Sequence, residues 1–191
     1  MSQVDSIEEA VEKKPQEKHL SDYRVSYFTV STLDLEFDLY DTNTLVKATS
    51  VIHRVKDDNE PLFLFGEQLK LLSVLVDDVE YSDHQFVEGG LLINNLPNEF
   101  KLQINTEIDP ESNKAFEGLY KSGDAFCTQC EAEGFRRITY YLDRPDVMAK
   151  FTTKITADKA LYPSLLGNGN RIAQGDLDNG RHWVVWEDPF A

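Results

Sequence analysis

The clearest pattern in the chain is strict alternation. Leu33-Asp34-Leu35-Glu36-Phe37-Asp38-Leu39 places four apolar side chains on one face and three acids on the other. Side chains repeat every second residue in a strand, so this run predicts a half-buried β-strand; a helix would scatter the acids around its circumference. Further strands are predicted over residues 23–30, 45–55, 62–65, 69–76, 85–87, 91–93 and 100–107. They are separated by turn signals at Asp57-Asp58-Asn59, Gly89-Gly90 and Asn94-Asn95. Short strands at this close spacing predict an all-β, twisted antiparallel sheet or sandwich, a large sheet with a smaller one packed on it, and not a βαβ fold.

Alternation fades over about residues 109–150, which carry both cysteines and one short helix signal, at 130–141 or at 146–150. Strand signals return over 151–157 and 161–166. A last hairpin is predicted from 170–174 and 183–186 around Asp178-Asn179-Gly180. Residues 1–20 read as a flexible acidic tail, with a short helix from 5 to 14 that Pro15 stops. Residues 21–191 then form one β-rich domain with an irregular insertion, and insertions of that length tend to carry function.

Length and composition fit this picture. A chain of 191 residues can bury roughly 70% of its unfolded surface, so it needs no disulfide or metal staple. Its 34 Asp and Glu against 19 Lys and Arg give a formal charge of −15. Such a surface repels phosphate backbones and anionic lipid, which excludes nucleic acid and membrane as expected partners. The N-terminal residues lack the basic start and apolar stretch of a signal peptide, and no window approaches a membrane span. With only two cysteines, the expected compartment is the cytoplasm.

Complete catalytic centres are absent from the sequence. Cys127-Thr128-Gln129-Cys130 has the C-x-x-C spacing, but a structural zinc site needs two further donors at matching spacing, and a redox pair needs a parallel βαβ context. None of His19, His53, His84 and His182 opens an H-E-x-x-H pair. There is neither a G-x-S-x-G elbow nor a phosphate-binding glycine loop. Trp183 and Trp186 stand three apart, so on a strand they face opposite sides and cannot form one sugar platform. Readings left open are a stand-alone β-sandwich binding module and a redox or metal protein built on Cys127 and Cys130.

The insertion is more specific. It runs Gly118-Leu119-Tyr120-Lys121-Ser122-Gly123, then Cys127-Thr128-Gln129-Cys130-Glu131-Ala132-Glu133-Gly134-Phe135-Arg136-Arg137, then Ile138-Thr139-Tyr140-Tyr141-Leu142-Asp143-Arg144-Pro145-Asp146-Val147. With Gly180-Arg181-His182-Trp183 and Trp186-Glu187-Asp188-Pro189-Phe190, this closely resembles the N-terminal domain of the aminopeptidase N type among the gluzincin (M1-type) zinc aminopeptidases. The resemblance is strong over residues 110–190 and looser before them, and the tail has no counterpart.

The resemblance implies a saddle-like all-β domain that caps a thermolysin-like catalytic domain. In such enzymes a T-Q-x-E segment, here Thr128-Gln129-Cys130-Glu131, reaches into the neighbouring active site. By that likeness Glu131 would bind the protonated α-amine of a peptide substrate, and Gln129 would shape the pocket for its first side chain. Arg136, Arg137, Asp143, Arg144 and Asp146 are expected to brace the loop through ion pairs. The zinc-binding H-E-x-x-H and the G-x-M-E-N motif are missing from these 191 residues; in the family they lie in the next domain. The expectation is therefore a non-catalytic piece of a larger enzyme, with zinc belonging to the parent, no metal bound by this chain, and no hydrolysis by it alone.

Overall fold

The computed structural model describes residue 17, residues 19–56 and residues 59–191. The helix expected over 5–14 lies outside them. Residues 19–27 hold only a single 3-10 turn, Leu20–Asp22, before the chain enters the sheet at Phe28.

The first five strands are β1 (Phe28–Asp38), β2 (Thr44–Arg54), β3 (Leu62–Phe65), β4 (Lys70–Val76) and the two-residue β5 (Val79–Glu80). They are followed by β6 (His84–Val87), β7 (Gly90–Ile93), β8 (Glu99–Ile108), β9 (Gly118–Ser122) and β10 (Ala125–Gln129). The last three are β11 (Lys150–Asp158), β12 (Asn170–Asp176) and β13 (Arg181–Asp188). Eight of these form one sheet in the order β12-β13-β11-β1-β2-β8-β4-β5; β3, β7 and β6 form a second sheet, and β9 and β10 a two-stranded ribbon.

The alternation does what the sequence predicts. On β1, Leu33, Leu35 and Phe37 are buried while Asp34 is exposed, and on β8 Phe100, Leu102, Ile104, Thr106 and Ile108 are buried in step. The buried residues of both larger sheets join in one hydrophobic cluster. On the outer face Glu36 stands opposite Lys47 on one side and Lys154 on the other. It meets their ammonium groups at 2.7 and 3.4 Å, and the Lys47 hydrogen bond, first among the causes, lowers its pKa.

The two predicted strands 23–30 and 33–39 are one strand. The even-numbered Phe28 and Val30 and the odd-numbered Leu33 and Leu35 are all buried, a change of parity that an unbroken strand cannot make. The register shift between Val30 and Thr32 against β2 resolves it: Ser31 is the extra residue of a β-bulge.

The sheet is antiparallel as expected, with one parallel pair in it, β1 with β11, which run from Thr32↔Lys150 to Asp38↔Thr156. Two expectations are corrected. Residues 161–166 are not a strand: Pro163 has no N–H to give to a ladder, and the segment crosses over the sheet as a strap. Its carbonyls at Tyr162 and Leu165 meet the ring nitrogens of His182 (2.7 Å) and Trp186 (3.2 Å). The helix expected within 130–150 shrinks to the 3-10 turn Phe135–Arg137. Its continuation is taken by tertiary pairing, because Tyr141 and Phe65 exchange backbone hydrogen bonds of 2.8 and 3.0 Å and buried Thr106 donates to Ile138 O at 3.1 Å.

Candidate functional site

Inside the stretch that shows no steady alternation, β9 and β10 make a regular hairpin, with Ser122 opposite Ala125 and Gly118 opposite Gln129. Its two-residue turn is Gly123-Asp124, and Gly123 has φ +59°, the left-handed value that such turns require at their first position. That Gly-Asp pair was the local signal for the hairpin, and alternation alone passed it by.

The root of the hairpin is where the candidate residues lie. Gln129 ends β10, and its Nε2 donates to Glu131 O at 3.1 Å. The chain then turns sharply: the Glu131–Ala132 peptide is cis, and Gly134 N donates to Cys130 O at 2.8 Å. A side chain at Gly134 would collide with Gln129 O, 2.4 Å from the ideal Cβ, and one at Gly118 would press on Arg137 Cβ at 2.8 Å. Glycine at these two positions lets the turn lie flat against the hairpin.

Ion pairs hold the turn from behind. Arg136, buried beneath it, bonds Asp143, and its guanidinium stacks over Phe65 at 4.4 Å. Arg137 reaches Glu67 (2.9 Å), Glu117 (3.1 Å) and the side-chain Oε1 of Gln68 (2.6 Å). Arg144 pairs with Asp146 at 2.8 Å and donates to Arg24 O at 2.6 Å. All five charged residues expected to brace the loop do so.

In front of the turn opens a cleft of about 710 Å³. Its floor is the core face of the large sheet (Leu35, Phe37, Phe151), and its walls are β10 and the 161–168 strap. Glu131 lines it; Gln129 does not, and contacts it only through Glu131. Both are exposed. Among the described residues the Glu131 carboxylate makes no hydrogen bond or ion pair, so a carboxylate with free acceptor positions stands at the mouth of a mainly apolar cleft.

Both cysteines line the same cleft and are free thiols. Burial, with a smaller contribution from the negative Asp143, pushes the Cys130 thiol up to about 11. A reactive or redox cysteine needs the opposite shift, so the geometry gives the redox reading no support. Among the described residues no three His, Cys, Asp or Glu side chains are grouped to hold a metal, and no helix is long and apolar enough to cross a membrane.

Residues 34–191 match the peptidase M1 N-terminal domain, and the chain belongs to that family. Aminopeptidase N of Escherichia coli (strain K12) is 57% identical over 178 residues, covering 93% of this chain and 20% of that protein. Aminopeptidase N of Caulobacter vibrioides is 48% identical over 178 residues, 92% of this chain and 20% of that protein. Among solved structures, Legionella pneumophila aminopeptidase A in complex with aspartic acid superimposes with a TM-score of 0.84 at 32% identity, over 90% of this chain and 21% of that one. The chain thus spans about one fifth of the length of the curated relatives it matches.

Proposed function

We propose that this chain is the substrate-anchoring N-terminal domain of a zinc aminopeptidase that removes single residues from peptide N-termini. Glu131 receives the substrate's α-ammonium, Gln129 shapes the pocket for the first side chain, and the face carrying residues 118–146 docks a catalytic domain. The observation that carries this reading is the unpartnered Glu131 carboxylate, presented at the mouth of the cleft by a turn that buried Arg136 fixes from behind.

The chemistry follows from the placement. A carboxylate accepts a short, charge-assisted hydrogen bond from an ammonium group. Holding the amine at one point fixes how far the first peptide bond lies from it, which restricts cleavage to one residue at a time. The residues described here do not fit a zinc site, so the metal that activates water in such an enzyme would be held by another domain, and this chain supplies recognition only. Two free cysteines suit the reducing cytoplasm in which we place the enzyme.

The test is steady-state hydrolysis of alanyl p-nitroanilide by the full-length enzyme that carries this domain. Glu131→Gln keeps the shape and removes the charge. It is expected to lower kcat/KM by about 10- to 100-fold, the worth of one hydrogen bond to a charged group. A Glu131→Gln enzyme within twofold of the parent would overturn the assignment.

A further inference from the structure

The hairpin that carries the anchoring residues is a two-stranded ribbon, and such ribbons are marginal unless something outside them holds their pose. At the root, the glycine contacts and Arg137 do so. Near the tip the fastening is of another kind. Lys121, the cross-strand neighbour of Phe126, reaches out of the ribbon to Asp41 Oδ1 at 3.0 Å, with its side chain only 16% exposed. The same carboxylate oxygen accepts from Tyr162 OH at 2.9 Å. The Tyr162 ring lies 4.9 Å from the Phe126 ring, and the Lys121 ammonium lies 5.6 Å over it.

Three remote segments therefore meet at one point: the β1–β2 turn through Asp41, the ribbon through Lys121 and Phe126, and the strap through Tyr162. The point is itself anchored. Glu111 N donates to Asp41 O at 3.2 Å and Lys121 N to Pro110 O at 3.0 Å, while the Tyr162 carbonyl is held by His182. Asp41 is held more acidic than usual, first by Lys121 and then by Tyr162, and Lys121 is held more basic by Asp41. Both shifts stabilise the charged pair.

We infer that Lys121 is a positioning residue: clamped by Asp41 and Tyr162, it sets the orientation of the β9–β10 ribbon and so the point at which Glu131 is offered to the substrate amine. This rests on the role proposed above for Glu131. The clamp grips the ribbon on the strap side of the cleft, whereas Arg137, through Glu117 and the close approach of Gly118, grips its root.

A double-mutant cycle in the full-length enzyme tests it. Lys121→Met, which keeps the apolar stem, is expected to raise KM for alanyl p-nitroanilide by about three- to tenfold with kcat little changed, the size of effect seen for residues that act on a site through others. Lys121→Arg should restore it. In a Glu131→Gln background Lys121→Met should have no further effect, because the group it positions no longer binds. Additive effects of the two changes, or a Lys121→Met enzyme with unchanged KM, would overturn the inference and leave Glu131 in its role. A Glu131→Gln enzyme that behaves as the parent would overturn both. Should Lys121→Met fail to fold, Asp41→Asn, which keeps the Tyr162 hydrogen bond and loses the ion pair, takes its place in the same cycle.

Discussion

Asp143 is gripped by Arg136 from both backbone and side chain: Arg136 N and Nε donate to Asp143 Oδ2 at 3.2 and 2.9 Å, and Nη2 donates to Asp143 O at 3.1 Å. The two side chains are 10% and 12% exposed. Removing one partner strands the other charge in a largely dry site. Arg136→Met and Asp143→Ala should each cost about 3–5 kcal/mol of unfolding free energy, and the double change less than their sum. Urea unfolding of the chain checks this. A loss under about 1 kcal/mol, the range of exposed pairs, would mean the loop is held by something else.

The glycines at the hairpin predict a contrast. Gly123 has φ +59° and open space around its missing Cβ, while Gly118 has φ +70° and meets Arg137 Cβ at 2.8 Å and Gly134 O at 3.1 Å. Gly123→Ala should cost only the left-handed backbone, about 1–2 kcal/mol. Gly118→Ala adds overpacking of a further 1–3 kcal/mol or so and displaces the turn bearing Glu131. Thermal unfolding of both variants ranks them, and equal losses would count against the close approach at the root.

Most of the fold was legible because period-two burial is a local property of the chain. The runs of β2, β3, β7 and β8 could be read residue by residue. The parallel pairing of β1 with β11 could not, since nothing near Thr32 signals that its partner is Lys150. The strap was misread because Leu161, Leu165 and Leu166 look strand-like until Pro163 and the ring nitrogens of His182 and Trp186 are considered. At the site, Gln129 and Glu131 were reached through family resemblance alone; an exposed Glu carries no local mark of function. Asp41, Lys121 and Tyr162 were missed outright. The Asp41–Tyr162 hydrogen bond joins residues 121 apart, and no periodicity encodes such a meeting.

The bulge at Ser31 yields a sharper test of register. Deleting Ser31 would turn β1 into a plain alternation, Phe28-Thr29-Val30-Thr32-Leu33-Asp34-Leu35, in which Phe28, Val30, Leu33 and Leu35 still share the core face. The ladder to β2 would then run without a shift, because Val30 and Thr32 already face the consecutive residues Ile52 and Val51. The deletion and Ser31→Ala, both made at an exposed position, should therefore each change stability in urea unfolding by only about 1 kcal/mol or less. A deletion that cost several times more than the substitution would mean that the bulge, and not the alternation, sets the register of β1.

Cys130 makes the stability of the domain depend on alkaline pH. Its folded pKa, about 11, lies above the 9.0 of an ordinary thiol, with burial as the first cause and Asp143 as the second. Below pH 9 the thiol is neutral in both folded and unfolded chains, and the favourable burial is fully present. Between 9 and 11 the unfolded thiol ionises while the folded one does not, so stability falls with rising pH; the full span is worth roughly 2–3 kcal/mol at 1.36 kcal/mol per unit. Cys130→Ser removes a group with this titration, so its unfolding midpoint in urea should decline less steeply from pH 8.5 to 11 than that of the parent chain. The same shift makes Cys130 a slow nucleophile at neutral pH. In a Cys127→Ser background, alkylation by iodoacetamide should therefore keep accelerating up to about pH 11, where a free thiol would already have levelled off. A plateau near 9 would show that the thiol is solvated in solution and that the wall of the cleft formed by β10 and the 130–134 turn is looser than the structure has it.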